Sequence, residues 1–107
     1  MIEYGDTFLK EAKQLSKKFK RLKSDLKDAI DEIENKNDVG VSLGYNLFKK
    51  RVRNSSIPTG KSGGFRIIIY QQLQNRTVLI SIYSKTEKES INDQELIELL
   101  KEYMDKQ

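Results

Sequence analysis

The sequence predicts an α+β fold, an antiparallel sheet packed on an N-terminal helical hairpin with a C-terminal helix. Three observations predict it. Apolar residues recur at three- and four-residue steps from Phe8 to Ile33, the spacing of a helix stripe. Between residues 47 and 85 the period falls to two, the spacing of strands. After Asn92 the helical spacing returns. Helices that bury one stripe and strands that bury one face satisfy each other by stacking in layers.

Each element has its own signal. Ile2-Glu3-Tyr4 reads as a short leading strand before Gly5, and Asp6 or Thr7 offers the N-cap of a first helix. Phe8, Ala12, Leu15, Phe19 and Leu22 form one apolar stripe, which Leu26, Ala29, Ile30 and Ile33 continue. A single rod of about thirty residues is long for so small a domain. A break is therefore expected near residues 20–24, giving two antiparallel helices, the second ending between Asn35 and Gly40. Residues 47–53 alternate Phe48 and Val52 against Lys49, Arg51 and Arg53. Stronger strands follow in Phe-Arg-Ile-Ile-Ile-Tyr at 65–70 and Val-Leu-Ile-Ser-Ile-Tyr at 78–83. A tight hairpin around Gln74-Asn75-Arg76 joins them. Asn92 caps the last helix, with Glu95 in the capping-box position and Leu96, Leu99, Leu100 and Tyr103 as its stripe. The one flexible segment runs from Asn54 to Gly64 and holds the lone Pro58. Residues 1–107 read as a single domain.

Charge is unevenly distributed. From Val39 to Thr86 there is no Asp or Glu, and the segment carries Lys49, Lys50, Arg51, Arg53, Lys61, Arg66, Arg76 and Lys85. Residues 1–38 are net zero and residues 87–107 are −4, so an overall +4 conceals a middle of +8. Positive charge concentrated this way faces a polyanion, most often a nucleic acid; a merely solvated surface is the plainer alternative. The chain has no Cys and no His. That excludes a disulfide framework, a thiolate nucleophile, cysteine metal sites and the usual general base near neutral pH. An enzyme made from this inventory works with Lys, Arg, Tyr and carboxylates, and neither a cofactor nor a metal is expected. No stretch approaches the ~20 apolar residues of a membrane span. Met1 to Lys10 has no signal-peptide core, so a cytoplasmic protein that does not engage membranes is expected.

Strand parity sorts the candidate residues. Phe65, Ile67 and Ile69 share one face of their strand, and Val78, Ile80 and Ile82 share one face of the next. Both sets are expected beneath the N-terminal helices. The opposite face then gathers Arg51, Arg53, Arg66, Tyr70, Tyr83 and Lys85, with Leu79 among them. Cations interleaved with aromatic rings suit single-stranded RNA, charge for phosphate and rings for bases. Alternatively, Tyr70 and Tyr83 pair across the hairpin and only cover sheet surface. Pro58-Thr-Gly-Lys-Ser62 is not a phosphate-binding P-loop: Ser55 stands where the first glycine is required, and a strand follows rather than a helix. Its glycines let the backbone of a basic loop bend or approach a ligand.

Lys49-Lys-Arg-Val-Arg53, Gly60-Lys-Ser-Gly-Gly-Phe-Arg-Ile-Ile-Ile-Tyr70 and Ile80-Ser-Ile-Tyr-Ser-Lys-Thr-Glu-Lys-Glu89 together resemble the RelE/ParE toxin superfamily, most closely its HigB-like branch. The resemblance covers nearly the whole chain and implies a RelE-like fold and the toxin of a type II toxin–antitoxin pair. It implies ribosome-dependent, metal-independent cleavage of mRNA, with the ribosome, mRNA and a helix-turn-helix antitoxin as partners. By position it implies Lys49, Arg51 and Arg53 as first-strand cations, Arg66 as the central-strand arginine and Lys85 as the lysine closing the last strand. Joined to strand parity and charge, this gives Arg51, Arg66, Tyr83, Lys85 and Lys61 as the expected catalytic set and Lys49, Lys50, Arg53 and Tyr70 as RNA-binding. Thr86 stands where RelE itself has an arginine after the strand-end lysine, and the C-terminal catalytic tyrosine of RelE has no counterpart; Tyr83 or Lys61 is the candidate to compensate. The chemistry agrees with the residue inventory. Cleavage by the RNA's own 2′-hydroxyl needs charge stabilisation and a proton acceptor, and a lysine among other cations has a lowered pKa. Two other readings are a ParE-like DNA gyrase inhibitor and a non-catalytic RNA-binding module.

Overall fold

Residues 2–58, 63–72 and 76–106 are described by a computed structural model. The order is β1 (Ile2–Tyr4), α1 (Asp6–Lys18), α2 (Leu22–Lys36), β2 (Val41–Gly44), β3 (Leu47–Val52), β4 (Phe65–Gln71), β5 (Thr77–Ser84) and α3 (Asp93–Asp105). The α+β class and the helix–helix–sheet–helix order are as expected.

The helical stripe breaks at Phe19, which leaves helical geometry at φ −116° and turns its ring edge-on to Phe65, 5.4 Å between centroids. The ring is buried in the core where α1 ends. The N-cap of α1 is Gly5, not Asp6 or Thr7, and the Gly5 N–H donates to the Leu79 carbonyl at 2.9 Å. Asn37 ends α2 in the left-handed region, φ 50°, a conformation its short polar side chain tolerates.

The sheet order is β1-β5-β4-β3-β2, antiparallel throughout except that β1 joins β5 in parallel, so the sheet is mixed. The edge strand β2 was not anticipated. It pairs with β3 through a turn at Tyr45 and Asn46, both with positive φ (55° and 61°). That geometry usually announces itself as Asn-Gly, and no such dipeptide is present. Of the expected β4–β5 hairpin, Gln74 and Asn75 lie outside the described residues, while the two strands are antiparallel neighbours as anticipated.

One irregularity corrects the parity argument. Ile68 pairs with Ser81 but Ile69 pairs with Leu79, so β5 carries an extra residue at Ile80. A bulge exchanges the faces of everything on one side of it. Phe65, Ile67, Ile69 and Ile82 pack on the helical hairpin as expected, and Leu79 joins them instead of facing outward. Val78 and Ile80 are buried on the opposite face, with Leu47, Ile68, Tyr83 and Leu96. That second cluster corrects the outer face too: α3 lies over it, packing Leu99, Leu100 and Tyr103 against the sheet. The sheet is a filling between two helical layers, and only part of its second face is open.

Beyond Leu79, β1 no longer pairs with β5, and a carboxylate takes over. Ile82 N–H and Ser81 Oγ both donate to Glu11 Oε1 of α1, at 3.1 and 2.8 Å. Burial raises the Glu11 carboxyl above its ordinary range; the two hydrogen bonds and the Lys88 charge oppose that rise, and Glu102 adds slightly to it. On the other side, Lys50 is buried and its ammonium meets Glu32 at 3.1 Å and Asp38 at 3.0 Å, pinning α2 and its exit to β3. Among the described residues no helix is long and apolar enough to cross a membrane.

Candidate nucleic-acid interface

Three strands set the site. Arg51 of β3 stands opposite Arg66 of β4, which stands opposite Tyr83 of β5. Because the bulge lies at Ile80, upstream of Tyr83, the outward parity of this row survives. Like charges directly opposite on a sheet repel, at a cost of roughly 0.2–1 kcal/mol. The repulsion is eased because Arg51, one of the pair, is exposed to solvent.

The row is graded in exposure. Arg51 is exposed, Arg66 is 3% exposed and Tyr83 is 8% exposed. Arg66 Nη1 donates to the Phe65 carbonyl at 3.1 Å, which helps hold the guanidinium against the sheet. Burial lowers the Arg66 pKa and the Arg51 charge lowers it further, while Tyr83 opposes both. Burial raises the Tyr83 pKa, Arg66 draws it down and Glu95 pushes it up, so the group is a neutral phenol near neutral pH. The Tyr83 hydroxyl is buried with no hydrogen-bond partner among the described residues. A buried hydroxyl carries a desolvation cost that no hydrogen bond among the described residues offsets, and in native proteins such a group calls for a functional account.

Lys85 follows directly after β5. Its N–H donates to the Gly64 carbonyl at 2.9 Å and its ammonium to the Glu89 carbonyl at 2.7 Å. Gly64 runs so close to the Val52 carbonyl and the Asn54 amide that a Cβ would collide with backbone, so glycine there is a packing requirement. Lys61 lies outside the described residues. Lys49 shares the outward parity of Arg51, opposite Ile68 and half-buried.

Three expected members are elsewhere. Lys50 points to Glu32 of α2 and to Asp38 just past it, on the other face. Arg53 lies past the end of β3 and lines a groove with Asp25, Asp28 and Glu32 of α2. Tyr70 is four residues along β4 from Arg66 and stacks edge-on with Tyr103 of α3, 6.1 Å between centroids. It is a packing residue under the helix, as the sheet-covering alternative had it.

Two residues beside the site were missed. Lys88 lies over the Tyr83 ring, 5.8 Å from its centroid, and is ion-paired to Glu95 of α3. Glu95 also closes the anticipated capping box with Asn92, so its second partner could not be read from that motif. Asn54 is fully buried: Oδ1 accepts from the Ser56 N–H at 3.0 Å, and Nδ2 has no partner among the described residues.

Fold and site together define a small α+β protein with a cationic row on one end of its sheet. The sequence profile described as the RelE toxin of the RelE / RelB toxin-antitoxin system matches residues 7–106. The chain belongs to that toxin family, which gives it the role of toxin and a cognate antitoxin as partner. A search of the curated proteins found no significant match.

Proposed function

We propose that this toxin is a ribosome-dependent endoribonuclease of the HigB-like branch. It halts translation in the cytoplasm by cleaving mRNA through the RNA's own 2′-hydroxyl, without a metal ion. The observation that carries the reading is Arg51 opposite Arg66 with Tyr83 beside it, inside a segment free of acids. In the reaction the 2′-oxygen loses its proton and bonds to phosphorus, the P–O5′ bond breaks, and the departing 5′-oxygen takes up a proton. Arg66 is rigidly held mid-sheet and suits stabilisation of the charged phosphorane. Arg51, exposed beside it, suits capture of the incoming phosphate. Tyr83, kept protonated by burial, offers a hydrogen bond to a phosphate oxygen or the departing oxygen. Lys85 at the strand end suits a base or positioning role. Lys61, outside the described residues, completes the proposed set. Lys49 extends the RNA track. The silencing partner is an antitoxin with a helix-turn-helix domain, which blocks or distorts the cationic row.

The test is primer extension on an mRNA under translation, with and without the protein. New 3′ ends that appear only when ribosomes occupy the message support the reading. Cells in which amino-acid incorporation continues while DNA synthesis stops would point to a gyrase inhibitor. RNA binding without new ends would leave a non-catalytic module.

A further inference from the structure

The two inner groups of the cationic row are buried, and the chain between β5 and α3 brings a fastened side chain onto one of them, Tyr83. The connector turns tightly after β5: Glu87 and Lys88 N–H groups both donate to the Ser84 carbonyl, at 3.0 and 2.9 Å. Lys18 of α1 holds Glu87 at 3.0 Å. Lys88 lies over Tyr83 and is bound to Glu95 in the first turn of α3. Tyr83 is thus flanked electrostatically by two cations, Arg66 from the sheet and Lys88 from the connector, while its hydroxyl has no partner among the described residues. Glu95 is the anion paired to Lys88 beside a row whose own residues come from a sequence segment free of acids, and the Lys88 charge also reaches Glu11 of α1. A carboxylate clasping a lysine at such a place occupies the position a phosphate would compete for.

Resting on the RNA-cleaving reading above, we propose that Lys88 is a further RNA-phosphate ligand held in reserve by Glu95. The Lys88–Glu95 clasp closes the connector over Tyr83; an RNA phosphate takes Lys88 from Glu95, and the phenol hydroxyl then gains an acceptor. The clasp is a positioning device, since neither residue touches the reacting atoms in the closed form. Its exposed setting suits exchange: both side chains are more than one-third exposed, so the pair is weak enough for a phosphate to outcompete.

The capping box supplies a clean variant. Gln at this helix position still accepts the Asn92 N–H, so Glu95→Gln keeps the cap and removes only the charge. Three proteins are compared: wild type, Glu95→Gln and Lys88→Met, each checked for an unchanged thermal melt. A fluorescein-labelled single-stranded RNA is titrated by anisotropy from about 50 to 200 mM salt. Tyr83 exposure is read as its acetylation rate with N-acetylimidazole, mapped by mass spectrometry. Glu95→Gln is expected to bind RNA several-fold tighter and to acetylate Tyr83 several-fold faster. Lys88→Met is expected to bind more weakly, with a log–log salt slope shallower by about 0.7, one phosphate contact fewer. Lys88→Arg restores that slope. If wild type binds and cleaves RNA but all three proteins share one affinity, slope and acetylation rate, the clasp proposal is overturned alone. If wild type neither binds RNA nor cleaves translated mRNA, the RNA reading falls and takes the clasp with it.

Discussion

At the scale of single residues, Tyr83 separates stability from activity. Its buried hydroxyl has no partner among the described residues, so deleting that oxygen removes a desolvation cost and leaves the ring packed in place. Tyr83→Phe should therefore melt at or slightly above the wild-type temperature. If the hydroxyl serves the phosphate, the same variant should cleave ribosome-bound mRNA at least tenfold more slowly, about 1.4 kcal/mol in the barrier. A melting temperature several degrees lower would show that the hydroxyl had a structural partner after all. Arg66 gives a less clean experiment, because it is buried and an alanine leaves a cavity. Arg66→Gln should be compared with Arg66→Ala by melting before loss of cleavage is assigned to charge. Parity assigned Arg51, Arg66 and Tyr83 to one face from sequence alone, and it did so because side-chain direction alternates strictly along a regular strand. It misassigned Arg53, because the strand ends at Val52 and alternation has no meaning beyond it. Lys50 belonged to the apolar parity from the start. Its burial depends on Glu32 and Asp38, one on a helix and one on the loop that follows, and strand parity knows nothing of either.

At the scale of elements, the bulge at Ile80 decides which helix buries which residues. The sequence Val-Leu-Ile-Ser-Ile-Tyr has no glycine or proline to mark it, and both parities are rich in apolar residues. Nothing local distinguishes the two registers; the choice is made by α3 and the helical hairpin competing for apolar side chains on opposite faces. Ile80→Ala should cost about 2–5 kcal/mol, as for a buried large-to-small change, read as a shift in the urea midpoint. Glu11 adds a pH signature. Its carboxyl is raised above the ordinary 4.5 in the folded state, so the fold binds this proton more tightly than the unfolded chain does. The stabilising contribution is fully present below about pH 4.5 and is lost as pH rises through the folded pKa. Both hydrogen bonds fall on one oxygen, which an amide retains. Glu11→Gln should then be at least as stable as wild type at pH 7, with the difference shrinking at pH 4. A wild-type advantage at pH 7 in urea unfolding would mean that the negative charge itself is needed there. The helices, by contrast, were legible in number and to within a few residues at their ends, because α1, α2 and α3 each bury a single continuous stripe.

At the scale of the whole molecule, charge segregation along the chain becomes a division between layers. The acid-free segment supplies β2 to β5 and the acidic C-terminal segment folds as α3 across the same sheet. The tail therefore covers the apolar end of that face, with Leu96 packed in the same cluster as Tyr83, and of the cationic row Arg51 alone is exposed. That separation was not legible in the sequence, which showed a basic middle and an acidic end but not that one would lie on the other. It also limits how many cations can meet RNA at once. Lys50 is engaged elsewhere, Arg53 faces the α2 groove, and Arg76 is bound to Glu3 through both ends of its guanidinium, at 2.8 and 3.0 Å. Lys49, Arg51, Arg66, Lys85 and Lys88 remain on or beside the row; with Arg66 buried and the Lys85 ammonium held by the Glu89 carbonyl, about three phosphate contacts are expected at once. Single-stranded binding then should follow a log–log salt slope near −2, a loss of about 20-fold between 50 and 200 mM salt. Arg51→Ala should flatten the slope by about 0.7, whereas Lys50→Met should leave it unchanged because its ammonium faces carboxylates on the other side of the sheet. Anisotropy titrations at four salt concentrations decide the matter. A slope near −5, eroded equally by Lys50→Met and Arg51→Ala, would mean that RNA spreads over the whole basic segment and that the row is not its focus.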